Sequence, residues 1–586
     1  MKELLLRRAE VLRIAADQAL RMPLRESGFW LHEDLRDNAY FAMHGMIYEY
    51  ETNPDQYTER EPFQRYCGVL SKAIRLQDAN PDSPMYGHWP LRLPDDIREA
   101  KPHELPVELM GCLFILFHQK YRQLLPIQIQ EELQAAIGHI YNSQLYAQRV
   151  TNGSHHEAKH TALKLLLGYT YKDSALLAKG QADLAKLLEQ VRGYGMREYG
   201  SLPWFWHWVQ SLTCAWEVLD DSEVLKSLEE MLDFLWQERS LYYIAGAWAG
   251  PHSRVLAHDV PGDANVWLDY IQFGEFPIPT FISRLEGAGL FHYQISETIK
   301  EAAKISRPVE LKKTVILPAA VTGTVDVVQH IYLFRTPDYA VGGMWERAEE
   351  YLNEQHRWDI TLPRREGGNQ AFFYHPGKGY VEGDARHASE HGDVIFGKNC
   401  VAAVFRIPES GGSALSGKEG IVGWLPNGKW IFEESSGYGC IDGVYLMVHS
   451  LNPFTVEVTS AGLSVKCTGN RHAVAMEVLT TAAEEHAVVM EVLASDEAAG
   501  FGIDDLASFV EKGKMHKLRF ASAQDLGKAV VDDRDVGSAK GAFRLTYHSI
   551  SGVSLKMEVI HAEERNGEQI KHTVDGKVID FADYKV

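Results

Sequence analysis

From about residue 3 to residue 301 the apolar positions recur every three or four residues, segment after segment. That is the period of helices with one buried face. It predicts helices over Glu3 to Leu20, Asp37 to Glu51, Glu104 to Leu124, Ile127 to Tyr146, His156 to Tyr169, Asp173 to Tyr194, Trp204 to Leu219 and Ser222 to Leu241. Short polar turns join these segments and strand-like alternation is scarce, so the hairpins are expected to stack into a solenoid or close into an (α/α) toroid. One break, Gln77 to Pro90, is rich in proline and aromatics and reads as a lid, a sugar platform or a packed loop.

After about Arg307 the period changes. Short β-prone runs (Thr314 to Leu317, Val325 to Phe334, Ala371 to Tyr374, Val401 to Phe405, Ala473 to Val478, Val553 to Ile560) alternate with Gly, Asn and Asp. They predict an antiparallel β-sandwich, with a small helical insertion between Ala494 and Gln524. The fold class expected is therefore multidomain α+β: a helical toroid over 1–305, a sandwich over 306–493, and a C-terminal β-rich region over 494–586 that completes the sandwich or forms a small extra sheet.

Chemistry concentrates at one predicted helix start, Thr151-Asn152-Gly153-Ser154-His155-His156-Glu157-Ala158-Lys159-His160. Asn152-Gly153 is a turn pair, Ser154 an N-cap, and Glu157 its capping-box partner three residues on. His156-Glu157-Ala158-Lys159-His160 also matches the zinc-hydrolase pattern H-E-x-x-H, in which i, i+4 imidazoles share a helix face. The glycine and N-cap residues place it at a helix mouth rather than inside a helix, which favours a metal-free site of Asn152 with one histidine. Two later turns carry similar residues. Gly195-Met196-Arg197-Glu198-Tyr199-Gly200-Ser201-Leu202-Pro203-Trp204 leads into one helix, and Ala249-Gly250-Pro251-His252-Ser253-Arg254 follows another. All three are expected at the same end of the toroid.

Composition narrows the partners. The 586 residues are 45% hydrophobic and 24% charged, with a formal net charge of -21. That field, without a long Lys/Arg run, argues against nucleic acid or an anionic membrane surface. The start Met1-Lys2-Glu3-Leu4-Leu5-Leu6-Arg7-Arg8 has no long apolar core, and no eighteen apolar residues run together, which predicts a cytoplasmic protein. Six dispersed cysteines (Cys67, Cys112, Cys214, Cys400, Cys440, Cys467) lack C-x-x-C spacing and read as reduced thiols.

With these residues the chain resembles the heparinase II/III-type polysaccharide lyases, which join a helical toroid to a β-sandwich and carry an Asn or His at a helix start and a Glu-x-Ser-Pro-x-Tyr-like turn one hairpin later. The resemblance implies that Asn152 and His155 or His156 neutralise a uronate carboxylate. Glu198 and Ser201 match the turn loosely, and Trp204 stands where the family has its catalytic tyrosine. The proton-transfer role would then pass to Tyr199, to Tyr242 or Tyr243, or to a histidine. His391, in Arg386-His387-Ala388-Ser389-Glu390-His391, matches the family's sandwich histidine.

The expected function is β-elimination on a uronate-containing oligosaccharide or polysaccharide. That reaction withdraws charge from a carboxylate and then moves a proton, and Asn152, His155, His156, Tyr199 and His252 are the candidate catalytic residues. Arg197, Glu198, Trp204, Tyr243, Arg254 and His391 are candidates for binding substrate. A glycoside hydrolase using Glu157 and Glu198 as its two carboxylates is the alternative. A non-catalytic carbohydrate-binding protein and a zinc hydrolase are the others. No cofactor is required by this chemistry, which leaves room for a structural divalent metal and for a homo-oligomer.

Overall fold

The computed structural model describes every residue except 1, 199, 320–324, 347–354, 366, 384, 407–419, 462–472, 481–484, 523–542 and 560–570. Among the described residues nine long helices precede the large sheets: α1 (Lys2–Arg21), α2 (Leu35–Thr52), α3 (Glu61–Arg75), α4 (Glu104–Tyr121), α5 (Ile127–Ser143), α6 (His155–Thr170), α7 (Ser174–Tyr194), α8 (Leu202–Val218) and α9 (Ser222–Leu241). Each of the eight expected segments carries one. Helix α3 was not expected, although Phe63, Tyr66, Cys67, Leu70 and Ile74 give it a well-marked apolar face.

Two kinds of helix alternate. The odd-numbered helices bury one stripe, as in α5, where Ile129, Leu133, Ala136, Ile137 and Ile140 face inward. The even-numbered helices α2, α4, α6 and α8 are buried almost all round, and α4 hides every residue from Pro106 to His118. A helix without an exposed face must be covered by others, so the even helices form an inner layer and the odd ones an outer layer. Helix α1 returns against the far end of this domain: Arg7 donates to the Ile271 and Gln272 carbonyls at 2.8 and 3.1 Å, and Gln18 exchanges two bonds with Ile282. The Gln77 to Pro90 stretch is a packed loop. Gln77 bonds the Gly87 and Ala136 carbonyls, and Trp89 is fully buried.

After residue 308 the described structure is mainly antiparallel sheet. An eight-stranded sheet runs in the order Phe454–Ala461, Ala473–Thr480, Val422–Pro426, Gln370–Tyr374, Trp358–Thr361, Ala340–Met344, Val327–Arg335, Val309–Leu317. A six-stranded sheet runs Gly392–Gly397, Cys400–Arg406, Glu485–Ala494, Val444–Ser450, Ser436–Ile441, Lys429–Phe432. Both contribute to one core, with Tyr332 of the first stacked on Phe396 of the second at 5.5 Å. Two short helices, Ser495–Gly500 and Leu506–Gly513, interrupt the strands, and five C-terminal strands form a separate sheet. The cysteines described (Cys67, Cys112, Cys214, Cys400, Cys440) are unpaired, and Cys467 lies outside the described residues.

The sheets are bolted to the helices along Val327–Arg335. Arg335 donates to the Ser240 and Tyr243 carbonyls at 2.6 and 2.5 Å, and Lys313 pairs with Glu238. Val315, Ile331 and Leu333 extend the helical core into the sheet domain. The two parts therefore meet at the C-terminal end of α9.

Candidate functional site

Helix α6 begins as its sequence dictates. Ser154 accepts from the Glu157 amide, and Glu157 answers the Ser154 amide at 3.1 Å, closing a capping box. The same carboxylate also accepts from the Thr151 amide and hydroxyl at 2.6 and 2.7 Å and from the Asn152 amide at 3.0 Å. Burial opposes the charge on Glu157, but these bonds outweigh it and hold its carboxyl below the usual range. Glu157 is thus consumed in holding the loop, which removes it as a glycosidase acid or base. We expect Glu157→Gln, which can keep the capping box, to change any turnover by less than about threefold; a hundredfold loss at unchanged melting temperature would return Glu157 to the chemistry.

The H-E-x-x-H match has a different outcome from a zinc site. His156 Nδ1 lies 2.9 Å from both carboxylate oxygens of Glu108 on α4, and His160 Nε2 lies 3.1 Å from one of them. Lys159, only 1% exposed, completes the cluster with its ammonium on the same carboxylate. A dication there would face a buried cation, so the zinc-hydrolase reading of this motif is not supported. The helical period explains the convergence, since positions 156, 159 and 160 share the α6 face that looks at α4.

His155, one residue earlier, turns to the next inner helix. Its Nδ1 is 2.7 Å from Glu198 Oε1, its backbone amide donates to Glu198 Oε2 at 3.0 Å, and Trp208 Nε1 donates to the same oxygen at 3.0 Å. The imidazole stacks on Trp204, centroids 4.6 Å apart and planes 13° from parallel. Burial is the largest influence on the ring and depresses its pKa to about 4, more than Glu198 raises it. Burial opposes the charge on Glu198 too, but His155 and Trp208 hold its carboxyl below the usual range. At neutral pH the pair is therefore a carboxylate receiving the Nδ1 proton of a neutral imidazole, whose Nε2 carries the lone pair.

The three polar turns meet in space. Glu198 joins the second turn to the first through His155. Gly200 joins the second to the third: it sits at φ 61°, and a Cβ there would lie 1.7 Å from the Pro251 carbonyl oxygen. Only glycine permits that approach. Behind His155, its ring centroid 5.6 Å away, His207 of α8 leads to Glu286 (3.8 Å), which lies 2.5 Å from Arg284. Arg284 in turn approaches Asp34, the N-cap of α2, which Arg36 grips with two bonds of 2.9 and 2.6 Å. Both His207 nitrogens, Tyr40 Oη and Asp37 Oδ1 are buried without a hydrogen bond among the described residues. Burial pushes the Asp37 carboxyl up to about 8 and that of Asp259, on the third loop, up to about 7. Buried polar atoms without a hydrogen bond are costly in a folded interior, and these four lie along the run from His207 to Asp34.

The other expected residues fall as follows. Asn152 is half-buried at the mouth of α6, its amide nitrogen held by Glu157. Arg197 is half-buried, its Nη1 buried without a hydrogen bond among the described residues. Tyr199 lies outside the described residues. His252 is 1% exposed and turned towards Asp359 of the sheet domain, and Arg254 lies beside it at φ 47°. His391 stands on the sheet domain, 5.7 Å from His375. Tyr243 is corrected: it is 1% exposed, packed on Phe273 and under Arg239, and its hydroxyl is held far above the usual range by burial. Tyr242 is likewise buried, stacked on Trp248. Pattern reading missed Glu108, His207, Arg284, Glu286, Arg36 and Tyr40. For Glu108 and His207 the signal was present, as ionisable side chains set within mainly apolar stretches of the inner helices.

No protein-family model matches the sequence, and no curated protein matches it. Among solved structures the chain is similar to the heparinase III BT4657 gene product (9% identity, TM-score 0.32, covering 94% of this chain and 90% of that one). It is also similar to the heparan sulfate lyase HepC from Pedobacter heparinus (10% identity, TM-score 0.33, covering 95% and 90%). Both likenesses are distant and concern the arrangement of the chain.

Proposed function

We propose that the chain is a lyase that cleaves uronate-containing glycans by β-elimination, with His155 as the base. The observation that carries this reading is the Glu198–His155 pair: a buried carboxylate fixes one tautomer of a neutral imidazole at a helix mouth. His155 Nε2 takes the proton beside the uronate carboxylate, and the released electron pair forms the ring double bond as the glycosidic oxygen departs with a proton. Tyr199, next to Glu198 in the chain, is the proposed donor of that proton. The Asn152 side-chain carboxamide and Arg197 withdraw charge from the carboxylate, and Trp204 stacks on the base and shapes the sugar site. The hydrolytic alternative loses support because Glu157 is locked in the cap and Glu198 is bonded to His155 and Trp208.

The test is a panel of uronate oligosaccharides with products read by mass and ultraviolet absorbance. Elimination gives products whose masses sum to the substrate's, with a new conjugated double bond. Products carrying one added water, labelled from heavy-oxygen water, would overturn the lyase. A non-catalytic carbohydrate-binding role has Trp204 in its favour, since it stands at the resembled family's tyrosine position; binding without any product would establish it.

The pH dependence follows from His155. Its lone pair is lost only when pH falls through about 4, so the acid limb of kcat/KM is expected near that value rather than near the usual imidazole range. Stability moves the same way. The unfolded ring binds its proton below its ordinary pKa while the folded ring does not, so the His155 contribution is present above the ordinary value and is lost as pH falls towards about 4. An acid limb at the ordinary imidazole value, measured where circular dichroism is unchanged, would count against His155 as the base.

A further inference from the structure

We infer that the polar run behind His155, from His207 to Asp34, is a second sugar subsite that reads the free hydroxyls of a neutral sugar beside the uronate and rejects a sulfated one. The inference rests on the lyase reading only in placing the uronate at His155. Helical spacing builds the run. Asp37 and Tyr40 stand three residues apart in the first two turns of α2, so they share one face. That face meets the 284–290 segment, which is anchored one turn further along where the Gly289 amide donates to His44 Nε2 at 3.0 Å. Glu286 sits at φ 48° and Gly287 at φ 75°. This left-handed turn, costly for a residue with a side chain, delivers a fully buried carboxyl to the neighbourhood of Tyr40.

The run is built but left unfilled in its bonding. Tyr40 is fully buried, yet its hydroxyl makes no hydrogen bond among the described residues; burial, Glu286 and Asp34 push that hydroxyl up, so it lies among the carboxyls. Both His207 nitrogens, both Glu286 oxygens, Arg284 Nε and Nη2, and Asp37 Oδ1 are in the same state, although Arg284 and Glu286 pair at 2.5 Å. Stability alone gives no reason to bury so many unbonded polar atoms together, whereas a ligand that bonds them does. Asp34 and Asp37 are only half-buried, which opens the run at the α2 end, while Tyr40 and Glu286 lie at its floor.

The unbonded atoms are of both kinds. Tyr40 and Arg284 offer hydrogens, Glu286 accepts, and neutral His207 does one of each. Asp37, pushed up to about 8 by burial and by Asp34, keeps its proton at neutral pH and can give as well as take. Sugar hydroxyls, each a donor and an acceptor, match that mixture. A sulfate ester brings acceptors and charge only. It would face the three carboxyls of Asp34, Asp37 and Glu286, and the guanidiniums of Arg36 and Arg284 already answer Asp34 and Glu286.

The experiment uses the full chain carrying His155→Ala, so that turnover does not consume the probe. The probes are tetrasaccharides of a uronate alternating with a neutral hexose or N-acetylhexosamine, each beside its counterpart O-sulfated on the neutral sugar. Calorimetry reads the affinities. The unsulfated member of at least one pair is expected to bind at least tenfold tighter than its counterpart. Tyr40→Phe or Asp37→Ala, added singly, should weaken it about threefold to tenfold, the usual loss for one hydrogen bond. Tyr40→Phe should melt no lower than its parent, because the hydroxyl has no hydrogen bond to lose in the free protein. Equal or tighter binding of the sulfated probes, no binding of any probe, unchanged affinity in the variants, or a lower melting temperature for Tyr40→Phe would each overturn the subsite. Should Asp37→Ala lose its circular dichroism, Tyr40→Phe decides alone. Product formation by the wild-type chain is scored separately. Binding without cleavage keeps the subsite and sinks the lyase, whereas cleavage indifferent to sulfation and to both substitutions does the reverse.

Discussion

His155→Ala is expected to lower turnover of a uronate oligosaccharide by about a thousandfold, the usual range for losing a positioned base being roughly 10²–10⁴. The effect should exceed any loss of stability, because the ring's direct partners are a carboxylate and the face of Trp204 rather than an apolar core. Glu198→Gln makes the sharper test. A carboxylate can only accept, so it keeps the hydrogen on Nδ1 and the lone pair on Nε2; a carboxamide can donate to Nδ1 and reverse the tautomer. The single changes should therefore cost similar amounts, and the double variant little more than either, because the two residues act as one unit. Additive losses, or a Glu198→Gln enzyme of near-normal rate with the melting temperature unchanged, would remove this pair from the mechanism.

Arg239→Ala is expected to destabilise the helical domain by about 3–5 kcal/mol, the range for removing one partner of a buried ion pair. Arg239 and Asp269 both have fully buried side chains. The guanidinium reaches Asp269 with bonds of 3.1 and 2.6 Å, donates to the Ala247 carbonyl at 3.1 Å, and lies 5.0 and 5.1 Å from the ring centroids of Tyr243 and Trp248. Removing it strands the Asp269 carboxylate, whose pKa burial already pushes upward, and empties space between two aromatic rings. Calorimetry should show a lower midpoint, and Arg239→Leu/Asp269→Leu should recover part of the loss by removing both charges. A destabilisation under about 1 kcal/mol, or a double variant worse than the single one, would contradict this account.

How much was legible from the chain depended on whether the cause was local. The capping box at Ser154 and Glu157 was readable because its donors and acceptors lie within six residues of one another. At His156 and His160 the same local reading named the face but not its partner. The i, i+4 spacing does put both rings on one face, but Glu108, from a helix nearly fifty residues earlier in the chain, is what that face meets. Tyr243 failed for a similar reason: a tyrosine on a turn looks available, and only the packing of Phe273 and Arg239 around it shows that it is not.

By itself the sequence determined the helical period up to α9, the change to β-prone runs after residue 307, and the polar turns at the mouths of α6 and α8. Each follows from side-chain spacing and from the backbone needs of Gly, Pro and N-cap residues, which act over one or two turns of chain. Tertiary structure alone decided which of those polar residues became partners. The pairing of His155 with Glu198, the neutralisation of Glu108 by Lys159, and the meeting of His252 with His356 and Asp359 join residues 43 to 107 positions apart. Their chemistry depends on burial and on the charge across the gap, and neither exists until the inner helices and the sheet domain have closed around them.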